Sequence, residues 1–480
     1  MSDVADGPTR ALVLAGGGIR VAWQTGVVAA LRESGLEFAH GDGTSGGIFT
    51  LGMLLSGIEP AEMVERWREL PARAFVSLLP ARSYLRPMTD WQAFGSADGV
   101  RERVLPALGI DLAAIRCSQG MTGSFNVADF ASKRCVPVPH TELDEDLLVA
   151  GVSLAALMPA VPSRGRIWTD AVWMQDANLM EAVRRGCDEL WVAWCIGNTP
   201  RWGRGALEQY VHMIEMSATA ALVSELDRIT ELNTRRAAGE PVLGSTRPIR
   251  VHVVRPALPL PLDPDFVTGR IDAETLVAQG YRDAYAYLAT AAPDGVPLDV
   301  TATATPARRL GARRTLRANG TLGPSRQEAS CSLVVEADDL MDLATRAATT
   351  TPCVGGFTHP QHGFCMLKNG AARLVGPSAS CALHMTGELL LDETWHRLSV
   401  TVPLPAGRWG LPRTQLWELQ DASGAVVAQG SGRATPLAAL LAATTFEPSG
   451  AHDLRDRARA LRLARRVVRQ GGRLPVTGAP

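Results

Sequence analysis

Two short stretches hold residues whose types and spacing could cleave an ester. The first is Gly43-Thr44-Ser45-Gly46-Gly47, a G-x-S-x-G pattern followed by an apolar, helix-compatible run from Ile48 to Ser56. A serine on a sharp strand-to-helix turn has its hydroxyl lifted off the sheet edge, and glycines beside it relieve a crowded, strained backbone. The helix that follows aims its first amides at the same spot, where they favour developing negative charge. The second stretch is Gly16-Gly17-Gly18-Ile19-Arg20, between a short apolar run and a helical pattern. A dinucleotide fingerprint starting at Gly16 needs glycine where Val21 stands, and a P-loop needs a lysine that this stretch lacks. What remains is a loop of bare amides at a helix start, suited to an anion or to the oxyanion of a tetrahedral intermediate. Arg20 would hold that loop or attract a phosphate head group. A tight turn with no ligand is the plainer alternative.

The elements that must position these groups follow from periodicity. Arg10 to Ala15 reads as a buried strand, Val21 to Glu33 as a helix closed by Ser34-Gly35, and a second strand runs into Ser45. Helices are expected over Pro60 to Glu69, Ala97 to Leu108, Leu148 to Pro162, Leu179 to Arg185, Ala206 to Ala238 and Asp272 to Thr290. Strands are expected over Gly123 to Phe130, Arg134 to Val138, Glu189 to Ile196 and Arg250 to Arg255. Ala74 to Pro87 is apolar and poorly periodic, and fits either a cover over an apolar site or a buried connection. Strands alternating with helices imply an α/β unit, a mostly parallel sheet with helices on both faces. Beyond about residue 293 the pattern becomes short alternating runs between Gly, Pro and Ser, which implies a separate β-rich sandwich or barrel. The expected domains are 1–293, 294–450 and a basic amphipathic helix with tail over 451–480.

Composition narrows the partners. The chain has 480 residues, a net charge of -1 and 46% hydrophobic residues, an ordinary globular balance with no argument for nucleic acid. Lys133 and Lys368 are the sole lysines, which reads as the codon bias of a GC-rich, bacterial genome. No signal peptide and no apolar run of membrane-spanning length is visible, and the eight cysteines form no C-x-x-C pair. A cytoplasmic protein with reduced thiols is the expectation, with peripheral contact at a membrane left open. Cys353, His359, His362 and Cys365 lie close enough in sequence to bind zinc, but the segment reads better as a loop entering a strand. The terminal helix carries Arg455, Arg459, Arg462, Arg466 and Arg469 opposite Leu454, Leu461, Ala464 and Val468. It would lie on an anionic membrane or pack back on the β region, and the second reading is preferred.

With these marks, the first ~290 residues resemble the patatin-like phospholipase family, whose marks are a G-G-G-x-R/K loop, a G-x-S-x-G elbow one βα unit later, and a downstream D-G-G/A. The first two stand here as Gly16 to Arg20 and Gly43 to Gly47, and the third corresponds to Asp170-Ala171-Val172. The upstream S-L-A-A-L-M-P-A-V-P and the spacing from Asp170 to Ala182 and Gly186 fit the same register. The resemblance implies a Ser–Asp dyad: Ser45 attacks an ester carbonyl, Asp170 accepts its proton, and Gly16, Gly17 and Gly18 form the oxyanion loop, supported by Arg20 and Gly46. No metal and no cofactor is implied, and the substrate is a lipid or other fatty-acyl ester. A carboxylate is a weak base at neutral pH unless an apolar pocket raises its pKa, and Trp168 and Trp173 are compatible with such a pocket. His140, His212 and His252 are triad candidates by chain order alone. This chain has Val21 after the loop's arginine, Ala171 and Val172 directly after Asp170, and Asp176 and Asn178 where the family often has Asn and Pro. If Ala171 sits where the backbone needs positive φ, the dyad is strained, and a catalytically weak lipid-binding protein becomes the alternative. A soluble esterase or thioesterase is a third reading. The second region resembles, more loosely, the β-rich accessory region of bacterial cholesterol oxidase-like proteins, through Leu391 to Val400 and Gly432 to Phe446.

Overall fold

The computed structural model describes residues 7–75, 77–85, 90–197, 202, 205–258, 260, 271–305, 309–341, 350–375, 382–403, 414–435, 447–449, 455–456 and 458–463. The chain divides into two compact units, Met1–Ala307 and Arg308–Pro480.

The first unit is built on an eight-stranded mixed sheet. Its parallel part runs in the order β3 (Thr122–Asp129), β2 (His40–Thr44), β1 (Arg10–Leu14), β7 (Glu189–Ala193), β8 (Arg250–Val254). β1 is apolar at every position after Arg10 because helices cover both of its faces. Ala11 and Val13 meet a core shared with α7 (Leu179–Arg184) and α8 (Ala206–Ala237). The inward stripe of α8 is Ala218, Leu222, Leu226 and Ile229, at helical spacing. On the other face α1 (Ala22–Glu33) packs on α9 (Ala273–Leu288), and the indole of Trp23 donates to Asp283 at 2.8 Å. α2 (Gly47–Leu55), α3 (Pro60–Glu69), α4 (Leu105–Leu108) and α5 (Leu112–Cys117) follow the second strand, and α3 buries Met63 and Trp67 as its pattern requires.

Three antiparallel strands complete the sheet: β4 (Arg134–Pro139), β5 (Val161–Ser163) and β6 (Arg166–Asp170). β4 takes one edge of β3, while β2 and β6 share the other, at Thr122–Asn126 and Val127–Asp129 respectively. The helix expected over Leu148 to Pro162 is shorter than that. α6 (Glu145–Gly151) stops early, and the chain turns through Ala156 at φ 72° before β5. Pro159 and Pro162 disfavour helix in the residues before them. Arg164 and Gly165, at φ 51° and 72°, make the tight hairpin into β6. Among the described residues, no helix is long and apolar enough to cross a membrane.

The second unit is an eight-stranded antiparallel barrel. β9 (Gly311–Leu322), β10 (Gln327–Ala337), β11 (Thr351–His359), β13 (Lys368–Val375), β14 (Ala382–Leu391), β15 (Thr394–Pro403), β16 (Thr414–Gln420) and β17 (Val426–Arg433) pair in turn, and β17 returns to β9 to close the ring. β12 (Gly363–Met366) adds to β11, and β18 (Glu447–Ser449) to β9. Alternate residues fill the interior, among them Leu316, Leu333, Phe357, Met385, Val400 and Trp417. Residues 455–463 are helical where described, and Ala460 and Leu463 pack on Ala312, Ala337 and Leu340. Arg466, Val468 and Arg469, with Gly432 to Phe446 beyond residue 435, lie outside the described residues. The Cys353 side chain is inside the barrel, whereas His359 and His362 stack at 4.6 Å and His362 meets Asp392 at 3.3 Å. Among the described residues no group of three or more His, Cys, Asp or Glu is placed to hold a metal.

Candidate active site

The register of β3 brings together the two residues that chemistry would need. Asn126 pairs with Thr44 and Val127 with Asp170, so the ends of β2 and β6 meet side by side on one edge. Ser45, next after Thr44, sits at φ 52° between the strand and α2, in the left-handed region that costs a side-chain-bearing residue energy. It is 6% exposed. The elbow has no room for side chains beside it. A Cβ on Gly47 would lie 2.1 Å from the Leu14 carbonyl oxygen, and one on Gly46 would lie 2.5 Å from the Gly18 carbonyl oxygen. The serine is thereby wedged between the end of β1 and the glycine loop.

That loop is fastened at both ends. The Gly16 amide donates to Asp176 Oδ1 at 2.8 Å, and Arg20 Nε donates to the Gly17 carbonyl at 3.0 Å. Arg20 thus supports the loop, and Gly16, one of three glycines expected as oxyanion donors, has its amide committed to Asp176. Gly16 must be glycine because a Cβ there would stand 2.8 Å from Ser45 Cβ. Buried Gln24 joins the layers beneath: it donates to the Ala15 and Ala193 carbonyls at 2.6 and 3.2 Å and accepts from Thr50.

Asp170 ends β6 with 1% exposure. Its Oδ1 accepts the Val172 amide at 2.9 Å, while Oδ2 is buried with no hydrogen-bond partner among the described residues. Burial pushes its pKa up to about 7, opposed by the nearby Ser45 hydroxyl and the Val172 amide. Neither Ala171 nor Val172 has positive φ, so the turn after the acid takes side chains without strain. Trp168 is buried and donates to the Ser163 carbonyl, and Trp173 stands edge-on to Tyr210 at 5.7 Å. The histidines are engaged elsewhere. His140 accepts the Gly123 amide, His212 pairs with Glu215, and His252 stacks on Trp191 and bonds Tyr287.

Sequence reasoning missed the polar network under the elbow. Asn126 donates to Asp42 at 2.6 Å, to the Gly43 carbonyl and to Thr44 Oγ1, and accepts from Asn178 at 3.0 Å. Asn178 also caps α7. Burial raises the Asp42 pKa well above the usual carboxylate range. The network ties the strand before Ser45 to the turn after Asp170. The signal was a run of polar residues at alternate positions in two strands, His40, Asp42 and Thr44 beside Thr122, Ser124 and Asn126, where a buried sheet face should be apolar.

Near the acid, Tyr210 on α8 feels the Asp170 charge and donates to the Ala155 carbonyl at 2.6 Å. The neighbouring carbonyls of Ala156 and Leu157 accept the amides of Phe94 and Gly95. Leu78, Leu85, Phe94 and Leu157 all expose large apolar surface here, Leu85 to 87%. The segment expected as a cover or a buried connection over Ala74 to Pro87 is packed at its start, with Ala74 buried and Phe75 stacked on Trp67, and becomes an exposed apolar flap over 77–85.

An elbow serine and a glycine loop at the carboxyl ends of parallel strands, with a buried acid at the end of the antiparallel β6, are the parts of an acyl hydrolase. The family model of patatin-like phospholipases matches residues 12–183, the stretch holding all three. The first unit therefore contains a patatin-like phospholipase domain, of a lipid acyl hydrolase family. No curated protein matches the chain.

Proposed function

We propose that the protein is a serine lipid acyl hydrolase that cleaves fatty-acyl esters with Ser45 as nucleophile and Asp170 as base. The observation that carries this is the pairing of Thr44 and Asp170 with adjacent residues of β3, which sets a buried acid beside a strained elbow serine. Ionised Asp170 takes the hydroxyl proton as Ser45 Oγ adds to the ester carbonyl. The amides of Gly17 and Gly18 hold the oxyanion, and Gly16 and Arg20 keep the loop in place. Collapse breaks the bond to the alcohol, whose oxygen receives the proton from Asp170. Asp170 then takes a proton from water, the hydroxide adds to the acyl-serine, and the second collapse frees the fatty acid and returns the proton to Ser45. Nucleophile, base and donors are all protein groups, so no step calls for a metal or cofactor. The unstrained turn at Ala171 supports an active dyad over a purely lipid-binding protein. The exposed flap with Phe94 and Leu157 favours an apolar acyl substrate met at a lipid surface over a small soluble ester.

The test is reaction with a fluorophosphonate and peptide mapping of the adduct. Labelling at Ser45 that is lost in Ser45→Ala and slowed in Asp170→Asn is expected. Labelling elsewhere, or none, overturns the reading.

A further inference from the structure

Asp176 is a second carboxyl at the site, and the reaction above gives it no step. It is 0% exposed, and it lies on the turn that Asn178 and Asn126 tie to the elbow strand. A point 2.4 Å from its Oδ1, the place of a Cβ on Gly16, is 3.3 Å from Ser45 Oγ, so the two oxygens are closer than the sum of those distances. Oδ1 accepts the Gly16 amide, and Oδ2 has no hydrogen-bond partner among the described residues. A carboxylate buried in this way would leave one charged oxygen without a donor, whereas a carboxylic acid carries its proton there.

We propose that Asp176 is a positioning residue that must keep its proton: as the neutral acid it anchors the oxyanion loop through Gly16, and once ionised it sets a negative charge against the oxyanion that the loop holds. The inference rests on the acyl-hydrolase reading. Among the described residues, the charged or titratable groups facing Asp176 are Asp170, Arg20 and Cys195. Asp170, at the end of β6, repels its anion; Arg20, after the loop, attracts it; Cys195, beyond β7, stays a neutral thiol with its pKa pushed up to about 12. Burial, with the Asp170 charge, outweighs the Gly16 amide and Arg20, and the Asp176 pKa rises to about 8. Of the two, Asp170 has two hydrogen-bonding groups for its anion, the Ser45 hydroxyl and the Val172 amide, and Asp176 has the Gly16 amide. The working state has Asp170 ionised and Asp176 neutral, and the pair titrates in two linked steps. Asparagine at 176 keeps the acceptor for Gly16 and cannot ionise.

The experiment is the pH profile of kcat/KM on a dispersed short-chain ester, for wild type, Asp176→Asn and Asp176→Ala, with infrared difference spectra of wild type against Asp176→Asn. Wild type should give a bell, falling about tenfold for each pH unit above its alkaline pKa. Asp176→Asn should keep the acidic limb and lose the alkaline one. Asp176→Ala should have lower kcat throughout, rescued in part by asparagine. The infrared spectrum should show a protonated carboxyl at neutral pH that disappears on the alkaline side and is absent from the variant. Turnover with an unchanged alkaline limb in Asp176→Asn, or a carboxylate already at neutral pH, overturns the role of Asp176 and leaves the hydrolase reading standing. A carboxyl that titrates as stated in a protein with no turnover at any pH overturns the hydrolase reading and the alkaline limit together.

Discussion

Asp170→Asn should stabilise the first unit above the ordinary carboxylate range, with the full effect at neutral and alkaline pH. The folded chain raises this carboxyl from 3.8 to about 7, because the burial that makes it a usable base also makes its charge costly. A raised folded pKa means that the folded state holds the proton more tightly than the unfolded state does. Stability is therefore greatest below the ordinary carboxylate range, declines as pH rises from about 4 to about 7, and is level above. At roughly 1.4 kcal/mol per pKa unit the full loss approaches about 4 kcal/mol, and relaxation around the charge lowers what is measured to about 2–4 kcal/mol. Asparagine does not ionise, and its oxygen still accepts the Val172 amide that Asp170 accepts at 2.9 Å. The assay is urea unfolding of the full chain followed by tryptophan fluorescence, at pH about 8 and at pH about 4. The variant should gain about 2–4 kcal/mol at the higher pH and nothing at the lower, while turnover drops about 10²–10⁴-fold. Equal stabilisation at both pH values, or destabilisation at the higher one, would refute the claim that the site stores the cost of a buried charge.

Three further outcomes follow from the same geometry. Gly47→Ala, whose Cβ would meet the Leu14 carbonyl at 2.1 Å, should lower kcat at least about 100-fold and cost about 1–3 kcal/mol, read by kinetics and urea unfolding. Asn126→Ala leaves Asp42 and Asn178 without their partner and should destabilise the first unit by about 2–4 kcal/mol, with a fall in kcat as the elbow loosens. Leu85→Ser with Phe94→Ser should reduce the ratio of activity on vesicles to activity on a short dispersed ester about tenfold, because Leu85 stands exposed on the flap and Phe94 is exposed beside it.

Much of this architecture could be read from local pattern. β1 and β7 are short apolar runs because they are buried on both faces, and α3 and α8 show their inward residues at helical spacing. Ser45 and the glycine loop were legible because the steric demands of an elbow leave a spelling in the sequence. The meeting of Ser45 with Asp170 was not legible in that way. It depends on β2 and β6 sharing one edge of β3, a pairing between residues far apart in the chain. The resemblance to the patatin-like family supplied the partner that periodicity could not. Asp176 and Asn126 escaped for a related reason, since a lone carboxyl or amide shows its role only when its partners are in view. In the stretch from Leu148 to Pro162, small apolar residues suit a helix, and the prolines and the Arg164-Gly165 hairpin prevailed. Alternation over the second region fitted a sandwich or a barrel equally, and the return of β17 to β9 decided between them.

The most direct test of the central claim is fatty-acid release from mixed lipid vesicles by wild type, Ser45→Ala and Asp170→Asn side by side, with vesicle binding measured on the same samples. The Ser45–Asp170 account predicts release by wild type, a loss of about 10²–10⁴-fold in each variant, and binding by all three. Binding by all three with no release from any would contradict it and leave a lipid-binding protein in its place.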